Sequence, residues 1–206
     1  MDVTWLGGSC VRLHAGGVSV LTDPFDLHLP GGTLSADVVT LSLREARDRL
    51  LAAGTYRLVD GPGEYEIKGV PVTGVATRRQ AADGQDGVAR NFVYSMQLDG
   101  VTVCHLGRLN RQPSAQEVQE MGAPDVLFVP LGEPLGLSVP HAVAVASQLE
   151  AKLLVPMLLG GPDDRAALER FCRELASDPS NTETRLSVTA SGLPATARVV
   201  VLAEGR

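Results

Sequence analysis

Four histidines, His14, His28, His105 and His141, are the side chains of this sequence best suited to moving protons or holding a metal. No two of them have metal-binding spacing. His14 precedes the turn Ala15-Gly16-Gly17, His28 lies in a proline-bearing loop, His105 ends a strand and His141 begins a helix. Each is expected to be incidental or hydrogen-bonded, with His105 the strongest candidate for a role. Glu45 and Asp48, three residues apart, would share a helix face and could serve a cation. A simpler role competes. Ser42 to Glu45 reads as a capping box, in which the serine hydroxyl and the glutamate satisfy the free N–H groups of a helix start. Arg44 with Asp48, and Glu45 with Arg49, then make opposite-charge pairs at four-residue spacing. Glu64 and Glu66 of "GPGEYEIKG" point to one strand face, which is a structural feature first. Ser9 and Ser42 have no recognisable base beside them in the sequence. Cys10, Cys104 and Cys172 are odd in number and far apart, and read as small core residues of a reducing compartment.

The elements that must position these residues change character along the chain. Short strands separated by glycine turns fill the first third, in "VTWLGG", "SCVRLHAGG" and "VSVLTDP". A helix is expected at 43–53. Strands follow in "YRLVD", "YEIKGVPVTGVAT", "NFVYSMQLDG" and "VTVCHLG", with Asp99-Gly100 as a hairpin turn. Arg78 to Arg90 is polar and aperiodic, and is expected to be an exposed loop or lid. Helices expected near 114–121, 139–150 and 162–176 then alternate with strands in "DVLFVPL", "KLLVP" and "ARVVVLA", while 177–194 is a polar excursion. A strand-rich half followed by helix–strand alternation predicts two sheets with helices outside. The length, 206 residues, fits a single domain over 1–206.

Composition narrows the function. A formal charge of −6 and a pI near 5.2 argue against nucleic-acid binding, which draws on a basic field. The N-terminus lacks a basic start followed by an apolar run, and no apolar stretch approaches a membrane span, so a cytoplasmic protein is expected, with no membrane partner.

The ordered phrases "TWLGGSCVRL", "VLTDPF", "ADVVTLS", "VDGPGEYEIKGVPVTGV", "VTVCHLG", "PDVLFVPLG" and "AKLLVPM" resemble the metallo-β-lactamase fold superfamily, in its branch of small zinc-dependent hydrolases. The resemblance covers roughly residues 2 to 203 and implies an α/β fold, a four-layer αββα sandwich with a site at one edge between the sheets. Active members carry a His-x-His-x-Asp-His motif that holds zinc, and the ion turns bound water into hydroxide near neutral pH. Here the motif falls on Leu43, Glu45, Arg47 and Asp48. The next family histidine falls near Arg79, the phrase that supplies a bridging carboxylate reads Gly107, Arg108, Leu109, Asn110, Arg111, and the final Pro-Met-His phrase reads Pro156, Met157, Leu158. The early Gly-His-Ser-Cys phrase has become Gly7, Gly8, Ser9, Cys10.

The resemblance thus implies zinc, and the residues at its slots imply no cofactor. The first expectation is a catalytically degenerate, metal-free member that binds an unknown small anion or a protein partner, in which case it could be a homo-oligomer. Two alternatives stand beside it: a hydrolase with a relocated site built from Glu45, Asp48, His105 or Asp23, and an anion or phosphate module built on Arg44, Arg47, Arg79, Arg108 and Arg111. The arginines are expected to gather at the former metal position and to hold a carboxylate such as Asp23 or Glu64.

Overall fold

The computed structural model describes residues 1–25, 34–44, 47–48, 54–80 and 89–205. In chain order its strands are Asp2–Trp5 (β1), Val11–Ala15 (β2), Val18–Thr22 (β3), Val38–Thr40 (β4), Arg57–Val59 (β5), Gly63–Ile67 (β6), Val70–Arg79 (β7), Ala89–Leu98 (β8) and Val101–His105 (β9). Helices then alternate with strands: Ala115–Met121 (α1), Val126–Leu131 (β10), Val139–Leu149 (α2), Leu153–Leu158 (β11) and Asp164–Glu174 (α3). Four two-residue strands close the chain: Thr182–Glu183 (β12), Leu186–Ser187 (β13), Arg198–Val199 (β14) and Val201–Leu202 (β15).

Period-2 alternation makes the first sheet. Val11, Leu13 and Ala15 of β2 are buried while Arg12 and His14 face solvent. Gly16 and Gly17 join β2 to β3 with φ of 56° and 79°, the left-handed pair a two-residue hairpin needs. The resulting six-stranded sheet has the order β13-β1-β2-β3-β4-β5, and the other main sheet, of seven strands, has the order β14-β11-β10-β9-β8-β7-β6. In the latter β9, β10 and β11 run parallel, so their carboxyl ends share one edge. The near-continuous apolar runs of β10 and β11 fit strands covered on both faces.

One core fills the space between the sheets, with Val3, Leu13 and Val20 meeting Phe92, Tyr94 and Phe128. A second lies under α1, α2 and α3 on the outer face of the seven-stranded sheet, around Val93, Leu127, Val145 and Phe171. A third, of Cys10, Leu21, Val39 and Leu41, lines the outer face of the other sheet. Two hydrogen bonds tie the sheets directly: Phe92 N–H donates to the Ser42 carbonyl at 2.9 Å and the Tyr94 hydroxyl to the Leu41 carbonyl at 2.8 Å.

Some expectations need correction. Arg78 and Arg79 are not loop but the end of β7, paired with Arg90 and Ala89 of β8; residues 81–88, the rest of that polar stretch, lie outside the described residues. The strand expected over 197–203 breaks at Val200 into β14 and β15, which join different sheets. The polar excursion 177–194 contains β12 and β13. Of the helix expected at 43–53, residues 47–48 are helical and Glu45, 46 and 49–53 lie outside the described residues. No helix among the described residues is long and apolar enough to cross a membrane.

Candidate functional site

Ser9 is the hub of the polar cluster at the edge between the sheets. The loop that carries it follows β1, whose Trp5 indole N–H donates to the Gly8 carbonyl at 2.8 Å. The Ser9 carbonyl accepts from the Thr22 hydroxyl at 3.1 Å and from His105 Nε2 at 2.9 Å. His105 Nδ1 accepts the Gly107 N–H at 3.2 Å, so the proton of the neutral ring sits on Nε2. Both ring nitrogens are thereby committed to the protein. Burial pushes the His105 pKa down, while the nearby Asp23 charge and the Ser9 carbonyl pull it up.

Asp23 is 2% exposed and accepts two bonds from Ser42, the backbone N–H at 2.6 Å and the hydroxyl at 2.5 Å; the Ser9 hydroxyl also reaches it. Burial raises its pKa, opposed by His105 and by these hydrogen bonds. Ser42 is therefore spent on Asp23, and no contact among the described residues shows it capping a helix; the Glu45 half of the expected box lies outside them.

Arg108 sits on the turn after β9. Gly107 makes that turn with φ of 63°, and a Cβ there would lie 2.6 Å from Asn91 Oδ1. Asn91, fully buried, holds the turn from beneath: its amide donates to Thr77 Oγ1 and the Leu106 carbonyl, and its Oδ1 accepts the Arg108 N–H at 2.8 Å. The guanidinium then lies over the Phe25 ring, 5.1 Å from its centroid, with Nε 3.4 Å from Ser9 Oγ. Arg108, Ser9, Cys10, Asp23 and Leu158 all line one cavity of about 380 Å³, closed on other sides by Trp5, Leu159 and Glu204. This size falls at the small end of ligand sites, and its place beyond the carboxyl ends of β9 and β11 is where open α/β sheets take ligands.

The arginines do not gather. Arg44 donates from Nε to the Asp60 carbonyl at 2.9 Å and lies over Phe92, and Arg47 pairs with the Asp60 carboxylate at 3.1 Å. Arg111 forks onto Glu117 at 2.6 and 3.0 Å, at the start of α1. Arg79, half-buried at the end of β7, is not a wall residue of the cavity. Among the described residues, Asp60 thus holds Arg47 and Glu117 holds Arg111, whereas Asp23 is held by serines and Glu64 is exposed on β6. Asp48 is exposed, and Leu43 is half-buried. Among the candidates from sequence, the cavity brings together Arg108, Leu158 and Asp23, with His105 behind Ser9. Sequence reasoning missed Asn91, whose signal was an amide opening the apolar run "NFVYSM". It also missed Glu204 and Asp164, which carry no local pattern.

The family of the beta-lactamase superfamily domain matches residues 2–158. The chain belongs to this family. A Methanoculleus marisnigri protein described as a UPF0173 metal-dependent hydrolase is 31% identical over 205 residues, covering 85% of this chain and 88% of that one. A Thermotoga maritima crystal structure, assigned to the Zn-dependent hydrolases of the metallo-beta-lactamase superfamily, superposes with a TM-score of 0.77 at 32% identity over 98% of this chain and 97% of that one. Igni18, a metallo hydrolase of Ignicoccus hospitalis, shares the fold at 18% identity, with a TM-score of 0.66 over 100% of this chain and 96% of that one. The two sheets with helices outside are thus the αββα sandwich of the superfamily.

At most of the family's ligand positions this chain carries side chains that do not fit the zinc the family implies. Zinc takes neutral imidazole, thiolate or carboxylate. At the positions the resemblance matches to ligands stand Leu43, Glu45, Arg47, Asp48, Arg79, Arg108 and Leu158, of which Glu45 and Asp48 alone are donors of that kind, and both ring nitrogens of His105 are engaged by the protein. Among the described residues, no group of three or more His, Cys, Asp or Glu side chains could hold a metal ion. A guanidinium in the cavity wall adds a fixed positive charge where a divalent cation would need anions.

Proposed function

We propose that this chain is a metal-independent, catalytically degenerate member of its superfamily that binds a small anionic ligand in the cavity beside Arg108. The observation that carries the reading is the Arg108 guanidinium in that wall, positioned by the Asn91-held turn. The Asp23–Ser42 and His105–Ser9 bonds support it, because they commit the acid and base that a relocated hydrolytic site would use. The reading takes residues 1–206 as one domain, since one core is shared by both sheets. Three free, buried cysteines support a reducing compartment such as the cytoplasm.

Two measurements test it. Metal analysis of protein purified without chelator or metal-binding tag should find zinc, iron and manganese each far below one equivalent; a near-stoichiometric ion overturns the metal-independent half. Phosphate should raise the melting temperature more than chloride at equal ionic strength, and Arg108→Met should remove that difference. Equal melting in the two salts overturns the anion half.

A further inference from the structure

The seven-stranded sheet has an edge that passes from β6 to β7 part-way along. Lys68 and Gly69, with φ of 52° and 77°, form a two-residue turn between them, and such a turn makes Ile67 and Val70 a hydrogen-bonded pair. By the period of a strand, Val70, Val72 and Gly74 then turn their backbone groups toward β6. β6 reaches only to Gly63, opposite Gly74. Ala76 and Arg78 turn the same way beyond that point. Both are exposed, and no strand among the described residues pairs with them on that side. Their side chains share a face with Val70 and Val72, which pack between the sheets, whereas Val75 packs in the outer core. Arg90 stands directly opposite Arg78, on the same face and also exposed. Arg44 adds a third positive charge there, lying over Phe92, two residues along β8 from Arg90. Glu64 and Glu66, opposite Thr73 and Pro71, are on the other face, and the Asp60 carboxylate pairs with Arg47. One charge is enough to guard an edge against stray pairing. Two arginines opposed across a ladder cost stability, and on a chain of net charge −6 they make a local field of the opposite sign.

We infer that this edge docks an extended, acidic segment of a partner protein, which adds as a strand beside β7 at Ala76 and Arg78. Its backbone bonds to the N–H and carbonyl groups of those two residues. Its Asp or Glu side chains, at every second position, meet Arg78 and Arg90 on the inner face. The surface is separate from the cavity, whose walls include neither arginine.

Fluorescence anisotropy with a labelled short peptide of alternating Glu and Thr tests it. A second peptide carries Lys in place of Glu, and a third keeps the Glu sequence with every backbone nitrogen methylated, which retains the charges and removes the donors. The Glu peptide should bind at least about tenfold more tightly than either. Arg78→Glu combined with Arg90→Glu, both at exposed positions, should reverse the preference, so that the variant takes the Lys peptide and the same titration shows it folded. Failure of the Glu peptide to bind the native protein, or equal binding of the Glu and Lys peptides, overturns the inference. If the methylated peptide binds as tightly as its parent, strand addition is overturned. Undiminished binding of the Glu peptide to the double variant places its site elsewhere and overturns the inference too. The Arg108→Met melting comparison tests the cavity separately, so either reading can fail without the other.

Discussion

At Gly107 the backbone sets what the neighbouring side chain can do. Its left-handed φ, and the Ser42 Cβ and Asn91 Oδ1 packed where a Cβ would go, leave room for glycine alone. Gly107→Ala is expected to cost about 3 kcal/mol in urea unfolding, from strain plus overlap in a packed site. His105 makes a pH prediction with a definite sign. Its folded pKa lies below the unperturbed 6.5, so the unfolded chain binds a proton more readily. Its contribution is complete above that value and is lost as pH falls from 6.5 toward the folded pKa. Asp23 opposes this, because its raised pKa makes protonation favour the folded chain as pH falls toward 3.8. Urea midpoints measured from pH 7.5 down to 5.5 should therefore fall more in the native protein than in His105→Gln, whatever the offset between them. A steeper fall in the variant would contradict the neutral, buried ring.

Helix α1 shows how a loop argument becomes an element. Ser114 Oγ accepts the Glu117 N–H while Glu117 reaches back to the Ser114 N–H at 2.7 Å, a full capping box. The same carboxylate takes Arg111, whose charge and hydrogen bonds hold the Glu117 pKa down against the rise from burial. Glu117→Ala should cost about 1–2 kcal/mol by chemical denaturation, with Glu120→Ala on the exposed face within about 0.5 kcal/mol of native. Strands and helices with strong period were legible in the sequence: Asp99-Gly100 turns between β8 and β9 as expected, and α2 and α3 fall within two residues of the expected bounds. What was not legible was where the arginines go, because Arg44, Arg47 and Arg111 find carboxylates or carbonyls set by tertiary neighbours. Arg44 and Arg47 travel with Asp60, and Arg111 with Glu117, so a shared motif did not mean a shared site.

Across the whole molecule the two sheets are joined by more than apolar burial. Tyr94, wholly buried in the seven-stranded sheet, donates its hydroxyl to Leu41 at the end of β4. Tyr94→Phe should leave that carbonyl unpaired and lower stability by about 1–2 kcal/mol with the fold intact, as read by circular dichroism and urea melting. The six-stranded sheet holds one further consequence, for the order of assembly. Strand β1 pairs on one side with β2 and on the other with β13, so that Asp2 lies opposite Ser187, and the Arg185 and Ser187 side chains both fasten onto Asp2. On a ribosome, the outer edge of β1 therefore stays open until the last strands have emerged. During synthesis this edge is open to pairing with another nascent chain, and its closure by β13 is the latch that ends that window.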